Sequence, residues 1–133
     1  MQQLDERQDD AAEVRELLQT YERSLNTGDT GLAVSCYAED GVFMPTAAPT
    51  AQGPGLRPAY AQIFDTIQLR VSFTIDELVV ASPTVAHALT RSQGTQTVLA
   101  TKAMTPEANR EVFIFIRDGT GWKISRYMFN KSE

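Results

Sequence analysis

The sequence predicts an α+β fold: three N-terminal helices packed on a strongly curved antiparallel β-sheet, giving a cone-shaped, barrel-like shell. Three observations carry this expectation. Val14, Leu17, Leu18, Tyr21 and Leu25 recur at helical spacing and form one apolar stripe. Beyond Leu69 the apolar residues recur with period two, as in strands. Between these halves, Pro45, Pro49, Gly53, Pro54 and Gly55 mark a loop.

Asp10 followed by Glu13 reads as a capping box that opens the first helix. Residues 1–9 are therefore expected to be a flexible segment, and residues 10–130 a single domain. Gly28 supplies a left-handed residue to end the helix. Asp29 or Thr30 then caps a short second helix to about Cys36, which turns Leu32, Ala33 and Cys36 inward. Asp40-Gly41 is a turn signal, and Val42-Phe43-Met44 reads as a short strand stopped by Pro45. Pro58 suits the first turn of a third helix running to about Phe64, with Tyr60, Ile63 and Phe64 on its apolar side.

Leu69, Val71, Phe73 and Ile75 alternate with Arg70, Ser72, Thr74 and Asp76, which predicts a strand with one buried face. Ser82-Pro83 breaks it. A second long strand is expected from Thr84 to Thr97, with Gly94 as a bulge, followed by a loop over 99–108. Glu111 to Arg117 is apolar on both faces and reads as a central strand covered on both sides. Asp118-Gly119-Thr120-Gly121 turns the chain into a last strand from Trp122 to Phe129, completing a four-strand meander.

The 133 residues include 17 acidic and 12 basic side chains, 42% hydrophobic residues, one His and one Cys. This size fits one domain whose folded surface is roughly 7,000 Å². A net charge of −5 argues against nucleic acid or an anionic membrane as partner. Eight charged side chains within residues 1–16 exclude a signal peptide, and no apolar run approaches the roughly 20 residues of a membrane span. A cytoplasmic location is expected. One His and one Cys exclude zinc sites built from several such ligands. There is no Gly-rich phosphate loop between strand and helix and no nicotinamide or flavin fingerprint, so no cofactor is expected.

The run Tyr21 … Asn26-Thr27-Gly28-Asp29 … Tyr37-Ala38-Glu39-Asp40-Gly41-Val42-Phe43-Met44-Pro45 resembles the SnoaL-like, ketosteroid-isomerase-like branch of the nuclear transport factor 2-like superfamily. Gly94-Thr95-Gln96-Thr97, Asn109-Arg110-Glu111-Val112-Phe113 and Gly121-Trp122-Lys123-Ile124 … Arg126-Tyr127 … Phe129-Asn130 resemble a bacterial subgroup of small stand-alone members without established chemistry. The resemblance spans roughly residues 10–130. It implies the cone fold and a homodimer, but not a reaction, because this fold hosts many chemistries. A ketosteroid isomerase uses an Asp base with Tyr and protonated Asp donors. By resemblance the donor Tyr falls on Tyr21, the base near Pro45 and the second donor near Phe113, and no acid occurs from Gly41 to Phe64. Ketosteroid isomerisation is therefore not expected.

If the strand faces follow the family, His87, Leu89, Arg91 and Gln93 point into the cone from one strand, Glu111, Phe113 and Phe115 from the next, and Tyr127 and Phe129 from the last. Tyr21, Met44, Tyr60 and Phe64 close it from the other side. This implies a ligand pocket of Met44, Tyr60, Phe64, Leu89, Phe113, Phe115, Tyr127 and Phe129, with His87, Tyr21, Arg91 and Glu111 as catalytic candidates. His87 would move a proton while Tyr21 or Arg91 stabilises an oxyanion, as in an isomerase, dehydratase or cyclase-type enzyme acting on a small hydrophobic carbonyl compound. The structural alternatives are a neutral wall histidine, an Arg91–Glu111 ion pair across neighbouring strands, and a core tyrosine. They correspond to a non-catalytic small-molecule binder or a dimeric assembly module. Cys36 reads as a small buried hydrophobe. The homodimer is expected through an outer sheet face carrying Val112, Ile114, Ile116 and Ile124, with Trp122 packed there.

Overall fold

The computed structural model describes residues 2–132. Helices α1 (Gln2–Thr27), α2 (Thr30–Ser35) and α3 (Leu56–Thr66) pack on a six-stranded sheet. Its strands are β1 (Tyr37–Met44), β2 (Ala51–Gln52), β3 (Ile67–Ser82), β4 (Val85–Val98), β5 (Met104–Asp118) and β6 (Gly121–Lys131), in the spatial order β2-β1-β6-β5-β4-β3. All neighbours are antiparallel except β1 and β6, which run parallel. Among the described residues no helix is long and apolar enough to cross a membrane.

The helical stripe is buried as its spacing requires: Val14, Leu18, Tyr21 and Leu25 all lie in the core. The helix begins well before Asp10, because residues 2–9 contain good helix formers and no Gly or Pro. Asp10 is not a cap. It is buried, and its Oδ1 accepts from Arg117 Nη1 at 3.0 Å and Trp122 Nε1 at 3.2 Å. Asp29 does cap α2, accepting from the backbone N–H of Leu32 at 3.0 Å.

The cone is closed where α1 meets β3. β3 is an edge strand, and the free edge is satisfied by side chains of the helix. Asn26 accepts from Val71 N–H at 2.7 Å and donates to Val71 O at 2.8 Å, while Glu22 accepts from Phe73 N–H at 2.7 Å. Gly94 is not a bulge, since the pairing of β3 with β4 runs through it without a shift. It has φ +156°, and a Cβ there would collide with the backbone carbonyl of Arg70.

β5 begins at Met104, inside the stretch expected to be a loop, and pairs with β4 from Thr97 onward. It is central in the sheet, but only its concave face is covered: Phe113 and Phe115 are fully buried while Val112 and Ile114 are 46% and 40% exposed. The last strand corrects the outer-face assignment in two places. Trp122 and Ile124 are buried in the core, not on the outside. The β5–β6 register shifts between Ile114 and Phe115, so that Ile124 and Tyr127, three residues apart, share the inner face.

Candidate functional site

The concave side of the sheet and α1 enclose an aromatic core. Phe113 and Tyr127 stack with centroids 4.2 Å apart, and Phe43 stacks on both Tyr60 and Tyr127. Tyr21 stands edge-on to Phe113, Tyr60 and Tyr127. At the open end of this core lies a cavity of about 260 Å³. Its apolar wall comes from Leu25 on α1, Phe43 on β1 and Pro45 just after it, Ile63 on α3, Leu69, Val71 and Phe73 on β3, and Phe129 on β6. Tyr21, Tyr60 and Tyr127 also line it. The opposite wall is polar and is built from Ser92, Gln96, Glu107, Asn109 and Lys131. A wider groove shares Phe43, Pro45, Ala48, Ile63 and Ile67 with the cavity and forms its approach from solvent.

The tyrosine hydroxyls form a chain. Tyr60 Oη lies 2.5 Å from Tyr21 Oη and 2.6 Å from Tyr37 Oη. Burial raises the pKa of all three phenols, and of Tyr127, so they are neutral hydrogen-bond donors at ordinary pH.

Glu111 points into the cone and is 3% exposed. Its Oε1 accepts from Thr90 Oγ1 and its Oε2 from Ser92 Oγ, both at 2.5 Å. Burial pushes its pKa up, and the two hydroxyl bonds oppose that rise without cancelling it. The carboxylate does not line the cavity, whereas Ser92 does.

β4 has the opposite face pattern from that expected. Ala86, Ala88, Thr90 and Ser92 are buried on the concave side, and His87, Leu89 and Arg91 point outward. A one-residue change of register moves every side chain to the other face. The concave side of β4 faces bulky rings, so only small side chains fit there. Arg91 accordingly makes no pair with Glu111. It donates from Nε and Nη2 to Asp76 on β3 at 2.8 and 2.9 Å, exposed on the outer face. Leu89 is 44% exposed and His87 is half-buried on that same face.

Of the other expected pocket residues, Tyr60, Tyr127 and Phe129 line the cavity. Phe113 and Phe115 lie beneath it as buried floor. Met44 and Phe64 do not line it; their sequence neighbours Phe43 and Ile63 do, and Phe64 borders a separate surface groove with Gly28 and Leu99. The β3 contribution of Leu69, Val71 and Phe73 was readable from its clean alternation. The polar wall of Ser92, Glu107 and Asn109 was not, because it depends on the face of β4 and on the early start of β5. Among the described residues no group of three or more His, Cys, Asp or Glu side chains could hold a metal.

The SnoaL-like domain family matches residues 6–128. The chain belongs to that family. Several solved structures share this SnoaL-like fold. A ketosteroid isomerase-like protein from Erwinia carotovora atroseptica superposes with a TM-score of 0.88 at 29% identity, covering 93% of this chain and 97% of its own. Hexachlorocyclohexane dehydrochlorinase LinA-type3 from Novosphingobium barchaimii gives 0.83 at 13% identity, covering 96% and 90%. A cystatin-like-fold domain from Nostoc punctiforme gives 0.77 at 12% identity, covering 94% and 78%. A comparison with curated proteins gives no match. The SnoaL-like cone is thus the shared feature.

Proposed function

We propose that the cone binds a compact, largely apolar molecule carrying a carbonyl oxygen and acts on it by proton transfer, as an isomerase, dehydratase or cyclase-type enzyme. The observation that carries this reading is the Tyr37–Tyr60–Tyr21 hydroxyl chain at the cavity wall. Each hydroxyl has one proton, and two bonds join the three, so one proton is left over. Of the three possible proton orders, two leave it on Tyr21 or Tyr60, both in the cavity wall, and one leaves it on Tyr37. The linked hydroxyls polarise one another, which strengthens the free donor. Such a donor stabilises negative charge developing on a carbonyl oxygen. The volume is below the roughly 300–1,000 Å³ of drug-sized sites, which favours a small ligand. Glu111 is the proton acceptor in this reading, reached through the Ser92 hydroxyl that it holds.

The loss of His87 and Arg91 from the cone removes the mechanism in which His87 moves the proton. Pro45, which carries no titratable group, lines the cavity near the position that the resemblance gives to a ketosteroid-isomerase base. A second reading, binding without conversion, is favoured by one observation: both Glu111 oxygens are already engaged and neither reaches the cavity. Incubation with small aryl and cyclic ketones in deuterated water separates the two. Solvent deuterium appearing at the carbon next to the carbonyl, and lost in Tyr21→Phe and Glu111→Gln, supports the enzyme. Saturable binding with no exchange above the buffer rate overturns it and leaves the binder.

We further propose that a second copy covers the outer sheet face. Leu89, Val112 and Met128 sit side by side across β4, β5 and β6, and all are exposed. Ile114 lies in the neighbouring row beside His87. A contiguous exposed apolar row of this kind marks an interaction site. Cys36 as a lone buried thiol supports a cytoplasmic setting.

A further inference from the structure

Asn109 Oδ1 is the one buried side-chain polar atom without a hydrogen-bond partner among the described residues. Native proteins rarely leave such an atom unpaired, because its desolvation is then uncompensated. Asn109 is 8% exposed and lines the cavity wall.

The rest of the amide is fully committed. Its Nδ2 donates to Glu107 Oε2 at 3.1 Å and to Ser92 Oγ at 3.3 Å. Glu107 is itself held by Lys131, whose Nζ lies 2.8 Å from Oε1. Turning the amide over would set Oδ1 against the Glu107 carboxylate, acceptor on acceptor, so the orientation is determined. Ser92 Oγ cannot donate to Oδ1 either, since its only proton goes to Glu111. No protein group hydrogen-bonds this oxygen.

We infer that the ligand carries a hydrogen-bond donor, a hydroxyl or N–H, which Asn109 Oδ1 accepts, and that Asn109 selects for it. This rests on reading the cone as a small-molecule site, and it narrows the ligand class to a carbonyl compound with a second, donating polar group. Tyr21 packs edge-on to Phe113, four residues along β5 from Asn109. Tyr21, Tyr60 and Asn109 line one cavity, so in this reading the carbonyl meets the tyrosine hydroxyls and the donor meets the polar wall.

The test compares acetophenone derivatives bearing a para-hydroxyl, a para-amino or a para-methoxy group, titrated calorimetrically into the full chain. The methoxy compound keeps the ring and the carbonyl but cannot donate, and para-methylacetophenone, which also cannot donate and is close in size to the hydroxyl and amino compounds, controls for its extra methyl group. The hydroxyl and amino compounds are expected to bind about tenfold more tightly than the methoxy compound. That advantage, read as the ratio of donor to methoxy affinity within each protein, should vanish in Asn109→Ala. Because Asn109→Ala could unfold the wall, the wild-type protein is also observed by ¹⁵N NMR. The Asn109 side-chain amide resonances should move further with the donors than with the methoxy compound, and equal movement would count against the bond. Equal affinity of all three, or an advantage that survives in Asn109→Ala, overturns the inference and leaves the small-molecule site standing. Failure of all three to bind overturns the site itself.

Discussion

The hydroxyl of Tyr60 lies 2.5 Å from that of Tyr21, at the wall of the cone, and carries Tyr37 behind it as a second partner. Tyr37 does not line the cavity, so it acts on a ligand only through Tyr60. Tyr21→Phe should weaken ketone binding about tenfold and lower stability by about 1 kcal/mol. Tyr37→Phe should weaken ketone binding by a smaller factor. Calorimetric titration of both variants checks this. Equal affinity of Tyr21→Phe and wild type would remove the tyrosine chain from the site.

Glu111 makes stability depend on pH in a definite direction. Its pKa is higher in the folded chain than in the unfolded one, so between those two values the folded state holds more protons. Stability from this group is fully present below the ordinary glutamate value and falls as pH rises through the raised one. Glu111→Gln should flatten that decline, as read from urea midpoints across the acidic range. A slope unchanged in the variant would contradict the assignment.

His87 faces outward beside Ile114, away from the cone. His87→Gln should leave ketone binding and deuterium exchange as they are in the wild type, and change stability by less than about 0.5 kcal/mol. Loss of exchange in this variant would return the histidine to the mechanism.

The exposed row of Leu89, Val112 and Met128 predicts a dimer. Sedimentation at micromolar concentration should give twice the chain mass, and Val112→Lys should give a single chain mass because a charge would be buried between copies. A wild-type monomer would show that this face is free.

How far the sequence could be read depended on residue size and polarity along each strand. β3 was legible because Leu69, Val71 and Phe73 alternate with Arg70, Ser72 and Thr74, so polarity alone names the inner face. β4 misled because neither face is cleanly apolar: small Ala86 and Ala88 share the inner face with Thr90 and Ser92, while bulky Leu89 stands on the outer face between His87 and Arg91. β6 misled because a strict period of two, counted back from Tyr127, puts Ile124 outside, and only the register shift brings it in.

The sequence by itself determined the order of helices and strands apart from the two-residue β2, the stripe of α1, a cap at Asp29 or Thr30 and the absence of a carboxylate from Gly41 to Phe64. These depend on neighbours along the chain, which local periodicity and capping chemistry reveal. Only the tertiary structure decided that Asp10 receives Trp122, that Arg91 pairs with Asp76, and that Ser92, Glu107 and Asn109 form one polar wall. A strand's period of two says that its faces differ but not which one is inside. That choice was made by the rings of Tyr21, Phe73 and Phe113, which leave room on the concave side of β4 only for small side chains.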